Sequence, residues 1–216
     1  MRIEEIIEGI RAVLDEKDAL REEALRLTRE IVRLSGDTVK AVHRGDFESA
    51  QKRLDEAGKR VGELREKLAR HPDLYYTGYV QSAHQEYVEA SLLLHYVQGK
   101  PFPGPGELGI PEADYALGVG DFIGELRRYF LRLLIDGDVE SAERVYRDME
   151  DVYNALMELE YPKGLVNVRQ KQDQARHIIE RTLEDLTRAK LSKALEEKLG
   201  KALSVLAREE SPGNEG

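Results

Sequence analysis

Asp114–Arg128, DYALGVGDFIGELRR, reads as a helix with two unlike faces. Val119, Phe122, Ile123, Leu126 and Phe130, continued by Leu133, recur at the three- and four-residue spacing of a buried helical stripe. The second face runs through Asp114, Gly118, Asp121, Glu125, Arg128 and Arg132, passing from acid to arginine along one line. Gly118, Gly120 and Gly124 each cost a helix about 1 kcal/mol against alanine. Such a cost is expected where a second helix or a ligand must approach closely.

A second stretch mirrors the acidic half of this face. Gln85–Ala90, QEYVEA, sets Glu86 and Glu89 one helical turn apart, as Asp121 and Glu125 are on the first helix. The heptad-spaced face around them reads Tyr75, Tyr79, Ser82, Glu86, Glu89, Leu93 and Tyr96, so the two acids sit among mostly apolar or aromatic neighbours. On spacing alone, solvated acidic pairs on a charged protein account for both motifs as well as a site does. If the two helices pack side by side, however, four carboxylates meet, and they repel unless a cation lies between them. The chain has no cysteine, so its metal donors are oxygen or imidazole. An all-oxygen set favours Mg²⁺ or Mn²⁺ over iron or zinc. No Glu-x-x-His pair of the di-iron bundle type occurs.

The rest of the chain is also helical in pattern. Apolar residues recur at three and four from Arg2 to about Arg44, with a break expected around Asp15–Asp18. Gly45 ends that helix, and Asp46 caps a second that runs to about Arg70. His71-Pro72-Asp73 restarts the chain into the helix of QEYVEA, from about Asp73 to Gln98. Gly99–Pro111 holds four of the seven prolines and four glycines and is expected to be loop throughout, with Asp114 capping the next helix. Asp136-Gly137-Asp138 opens a helix to about Glu160, and its GDVESAERVYRDME echoes GDFESAQKRLDEA at Gly45–Ala57. After Tyr161-Pro162-Lys163-Gly164 a last long helix extends from about Leu165 into Leu206. The expectation is an all-α bundle of about six or seven helices forming one domain over residues 1–206, with a disordered tail at 207–216.

Composition sets the outer limits. The 216 residues are 35% charged and 6% aromatic, which suits a solvated helical protein. No apolar run of membrane-spanning length occurs, and the N-terminus lacks the pattern of a secretion signal, so a cytoplasmic protein is expected. A net charge of −9 is unusual for a nucleic-acid binder, which would have to cluster its cations locally. His84, Arg127, Arg128, Arg132, Arg169, Lys171 and Arg176 are the best local set for RNA contact, although on so charged a chain most could simply be solvated. His84 and His95 are expected to be structural or RNA-contacting rather than metal ligands. GVGDFIG misses the dinucleotide fingerprint by one residue and follows no strand. Neither a phosphate loop nor a Ser-His-Asp arrangement is present.

QEYVEA, DYALGVGDFIGELRR and GDVESAERVYRDMEDVY, in this order and spacing, resemble the translin family. The likeness extends to REEALRLTREIVRLSGDTVKAVHRGD and covers most of the chain. Within the family it is similar to the translin-associated factor X branch, which keeps the E-Y-V-E-A and D-x-x-G-E carboxylates. The resemblance implies a helical protomer in a closed shell, roughly octameric, here as a homo-oligomer. It implies Mg²⁺-dependent (or Mn²⁺-dependent) endonucleolytic cleavage of single-stranded RNA inside that shell, with single-stranded DNA as a related ligand. Carried over position by position, Glu86, Glu89, Asp121 and Glu125 become both the metal ligands and the catalytic carboxylates. The loop after Gln98 is short and a basic N-terminal extension is lacking, so a prokaryotic, archaeal member is expected. Two other classes remain: a nucleic-acid-binding shell without turnover, and a helical adaptor whose acidic pairs are solvated.

Overall fold

The computed structural model describes residues 2–209, and among them every regular element is a helix. Six helices are long: α1 (Ile3–His43), α2 (Phe47–Leu68), α4 (Gly78–Val97), α6 (Glu112–Ile135), α7 (Val139–Met157) and α8 (Val168–Glu209). Two are single turns, α3 (Pro72–Tyr75) and α5 (Pro105–Leu108). The described residues therefore carry two more elements than the six long helices that periodicity finds, because a single turn is too short to show a period. One consequence is that Tyr75 stands on α3, separated from the α4 face by the Thr77 cap.

Helix α1 runs for 41 residues without the break expected at Asp15–Asp18. Aspartate is a modest helix former rather than a breaker, and no proline or glycine stands among these residues. The loop Gly99–Pro111 is also not uniformly irregular. Pro105 opens α5 at the first helical position, where its missing N–H costs nothing, and Gly109 closes it with φ +66°. The stretch 207–216 was expected to be a tail, but α8 continues to Glu209, and residues 210–216 lie outside the described residues.

The two Gly-Asp echoes occupy equivalent junctions. Gly45 (φ +76°) and Gly137 (φ +79°) turn the chain through the left-handed region after α1 and α6. Asp46 then accepts from the Ser49 N–H at 3.2 Å, and Asp138 from the Ser141 N–H at 2.9 Å, capping α2 and α7. Each junction folds its two helices back against each other.

Packing proceeds in layers: α1 lies between α2 and α4, α4 packs on α6, and α6 holds α7 and α8. Phe122, Ile123, Leu126 and Phe130 of α6 are fully or almost fully buried, with Val119 and Leu133 partly buried against the same core. On α1, burial begins at Ala24, while Ile3, Ile6, Ile7, Ile10, Val13 and Leu14 form an exposed apolar stripe. The far end of α8 exposes Leu191, Leu195, Leu199 and Leu203 in the same way. Among the described residues no helix is long and apolar enough to cross a membrane.

Candidate metal centre

The centre is built where α4 meets α6, and glycine sets the separation. A Cβ at Gly118 would lie 2.7 Å from the Val88 Cβ and 3.0 Å from the Gln85 carbonyl oxygen. Only a residue without a side chain lets the α6 backbone sit against the turn of α4 that carries Glu86 and Glu89. Gly120 does the same for α8, since a Cβ there would lie 2.7 Å from the Lys171 Cβ. Gly124 has open space around it, so close approach explains two of the three glycines.

All four carboxylates lie near enough to be coupled by charge. Burial pushes Glu89 up to about 8, and the charges of Glu86, Glu125 and Asp121 add to the effect, opposed by Lys171. Burial also raises Glu86, followed by repulsion from Asp121. Glu86 retains an exposed edge at the mouth of the cluster, whereas Glu89 lies deeper. Neither α4 acid has a hydrogen-bonding partner among the described residues.

The two α6 acids do have partners. Lys171 donates to both oxygens of Asp121, at 2.5 and 2.7 Å. His43, in the last turn of α1, places its Nε2 2.5 Å from Oε2 of Glu125, and Arg128 stands 3.7 Å from the same oxygen. Four helices thus supply the cluster. His43 went unread in the sequence, where 82 residues separate it from Glu125 and no motif joins them.

The donor set suits a hard divalent cation, being all oxygen, with its inner carboxylates half-buried. Glu86, Glu89, Asp121 and Glu125 are the residues that would hold it. As placed, no three His, Asp or Glu side chains among the described residues stand close enough together to grip an ion, and the α6 acids are engaged by the Lys171 ammonium and the His43 ring.

Comparison with known proteins places the whole chain. The model of the translin family matches residues 8–186. This chain belongs to the translin family. A curated relative, an uncharacterized protein of Methanocaldococcus jannaschii, is 37% identical over 175 residues, which is 80% of this chain and 78% of that protein. The solved structure of AfC3PO superposes with a TM-score of 0.80 at 36% identity, covering 87% of this chain and 98% of the other. AfC3PO in complex with duplex RNA gives 0.75 at 37% identity, with the same coverage. Apo-NeC3PO gives 0.77 at 26%, covering 85% and 96%. The all-α, translin-like fold expected from the sequence is the fold observed.

The remaining residues of this translin-family chain that were expected to touch RNA fall into three groups. Lys171 is in the carboxylate cluster itself. Arg128 is exposed at its rim, while Arg132, one turn further along α6, pairs with Asp136 at 3.6 Å. Arg169 and Arg176 are exposed on the side of α8 turned away from Lys171, lining a groove with Glu160, Tyr161 and Asp173. Arg127 is a clamp between α6 and α8, donating to Thr182 and Asp185 at 2.7 and 2.8 Å.

His84 requires a correction. It is fully buried and reaches no surface on which RNA could lie. Its Nδ1 donates to Asp114 Oδ2 at 2.7 Å, and Gln81 donates to the other Asp114 oxygen at 2.9 Å. Asp114 was expected to cap α6, yet Pro111 holds that position, and the Asp114 carboxylate is buried as the anchor between α4 and α6. A buried carboxylate needs partners, and the two polar α4 side chains supply them. His95 is also structural: its Nδ1 donates to the Ser91 carbonyl oxygen at 2.8 Å, one turn back on α4.

Proposed function

We propose that this protein is a metal-dependent endoribonuclease that cleaves single-stranded RNA within a homo-oligomeric shell, an octamer in the form the family resemblance implies, working in the cytoplasm. Single-stranded DNA is a second ligand of the same shape. The observation that carries the reading is that Glu86, Glu89, Asp121 and Glu125 lie close enough where α4 meets α6 to repel one another, with Glu89 driven up to about 8. Acids pressed together in this way raise one another's affinity for positive charge, and a carboxylate perturbed by burial and like charges marks chemistry more often than a solvated pair does.

Mg²⁺ or Mn²⁺ bound there supplies Lewis acidity toward the phosphodiester and a water of lowered pKa. The chain's own part is positional and electrostatic. Glu89, set deeper than Glu86 among like charges, would hold the ion once its own proton is displaced. His43 fixes the rotamer of Glu125, and the glycine contacts of α4, α6 and α8 fix the distances between the acids. Arg128, exposed beside Glu125, is placed to meet the phosphate backbone. With a net charge of −9, RNA binding in this reading relies on the few cations beside the carboxylates, Lys171 and Arg128, facing the inside of the shell. Exposed apolar stripes at the start of α1 and the end of α8 are long enough to bury against neighbouring protomers.

A second reading is favoured by the Lys171–Asp121 pair. An ammonium on both oxygens of Asp121 is the arrangement expected of a nucleic-acid-binding shell in which Asp121 is a structural ion-pair partner and no turnover occurs. AfC3PO is described in complex with duplex RNA, so binding in that relative extends to paired strands. Labelled single-stranded and duplex RNA, each incubated with Mg²⁺, with EDTA and with the Glu89→Gln protein, separates these readings. Cutting of the single strand that needs both metal and Glu89 supports the nuclease. Intact RNA that is still bound in every reaction supports the binding shell, and equal cutting of duplex and single strand removes the proposed strand preference.

A further inference from the structure

Lys171 stands among the carboxylates that a divalent cation would use. Its Nζ donates to both oxygens of Asp121, and its side chain is only 21% exposed. Its charge is the one that opposes the mutual repulsion at both Glu86 and Glu89. One ammonium cannot neutralise four carboxylates, so the cluster keeps a demand for positive charge while Lys171 occupies one of its members.

The stem of Lys171 is held. From the position of a Cβ on Gly120, the Lys171 Cβ, Cγ and Cδ lie at 2.7, 3.1 and 3.3 Å, so the chain is laid along bare α6 backbone. The Cε–Nζ end carries the charge on to Asp121. The ammonium can leave Asp121 by rotating its terminal bonds, without any movement of α8. Lysine suits such exchange, because its charge is compact and its three donors rotate freely, whereas arginine would clamp a carboxylate with a rigid fork.

We propose that Lys171 is an exchangeable counter-ion of the metal centre: it holds Asp121 in the metal-free protein and yields that carboxylate when a divalent cation enters. This rests on reading the four acids as a metal site. Lys171 is then a positioning residue that sets the affinity for metal, and the pairs at Glu125 with His43 and Arg128 are left as they are.

The test is Mn²⁺ binding to the full-length protein, by calorimetry and by the paramagnetic signal of the free ion, with melting temperature measured in EDTA and in Mn²⁺. Lys171→Met keeps the stem on Gly120 and removes the charge. It should melt lower than wild type in EDTA, gain a larger stabilisation from Mn²⁺, and bind Mn²⁺ about tenfold more tightly, the scale of one competing charged hydrogen bond. Lys171→Arg, which clamps Asp121 more firmly, should bind Mn²⁺ no more tightly than wild type. Gly120→Ala, which pushes the stem away, should shift affinity in the direction of Lys171→Met. A Lys171→Met protein that melts lower but binds Mn²⁺ with unchanged or weaker affinity overturns the exchange and leaves the metal centre standing. Absence of Mn²⁺ binding in wild type and variant alike overturns both.

Discussion

His43 closes on Glu125 across 82 residues of sequence: the last turn of α1 places Nε2 2.5 Å from Oε2 on α6. Both side chains are largely buried, at 9% and 19% exposure. The contact ties the end of the longest core-packed helix of the N-terminal half to the acidic face of α6. Removing the ring leaves Glu125 with only the more distant Arg128. His43→Ala should therefore lower stability by about 1–3 kcal/mol, the cost of orphaning a partly buried acceptor. It should also slow RNA cleavage by loosening Glu125. A urea midpoint equal to that of wild type would show that the contact contributes nothing.

Stability in EDTA should depend on pH through Glu89. Its folded pKa of about 8 lies above the ordinary 4.5, so the native state binds more protons than the unfolded chain between those values. Stability from this group is complete below about pH 4.5 and is lost as pH rises through 8, the reverse of a salt-bridged acid. Glu89→Gln should flatten the decline and make the metal-free protein more stable than wild type above pH 8. A wild-type midpoint that rises with pH over this window contradicts the sign.

Metal binding at pH 7 should then expel a proton from Glu89, because a bound cation favours the ionised carboxylate. The heat of Mg²⁺ or Mn²⁺ binding should vary with the ionisation enthalpy of the buffer in wild type, and the dependence should shrink in Glu89→Gln. Removing the metal with EDTA should return the melting temperature to its metal-free value. A binding heat that is the same in every buffer would count against Glu89 as the proton donor.

Two glycines of α6 should respond to alanine with opposite sign. At Gly118 the new Cβ would lie 2.7 Å from Val88 Cβ and 3.0 Å from the Gln85 carbonyl, neither of which is the end of a flexible side chain. Gly118→Ala should cost about 1–3 kcal/mol by forcing α4 from α6, and should weaken metal binding as the acids separate. Gly124 has nothing within 4 Å, so Gly124→Ala should add up to about 1 kcal/mol of helix stability. Chemical denaturation of both variants checks the contrast.

His84 and Asp114 should behave as core residues. Asp114→Ala leaves the buried His84 and Gln81 without their acceptor and should cost about 2–3 kcal/mol, while the folded variant should keep wild-type affinity for RNA. Filter binding at a temperature where the variant is folded decides this. A selective loss of RNA affinity would restore His84 to the binding surface.

Much of this molecule was legible along the chain. The helical periods place the six long helices, and the Gly-Asp junctions announce their caps, because period, cap and turn each depend on residues within a few positions. Glu86, Glu89, Asp121 and Glu125 were legible for the same reason, as pairs one turn apart. Local rules missed two isolated turns, α3 and α5, whose four residues show no period. They also assigned Asp114 a cap that Pro111 supplies.

What the sequence by itself determined was therefore the helices, their apolar faces and the two acidic pairs, all set by spacing within a single element. Only the tertiary structure decided the partners. It brought His43 to Glu125, Lys171 to Asp121 and His84 to Asp114, across 82, 50 and 30 residues. The physical reason is that a helix face dictates which residues point the same way, while helix packing, here set by the bare backbone of Gly118 and Gly120, dictates what they meet.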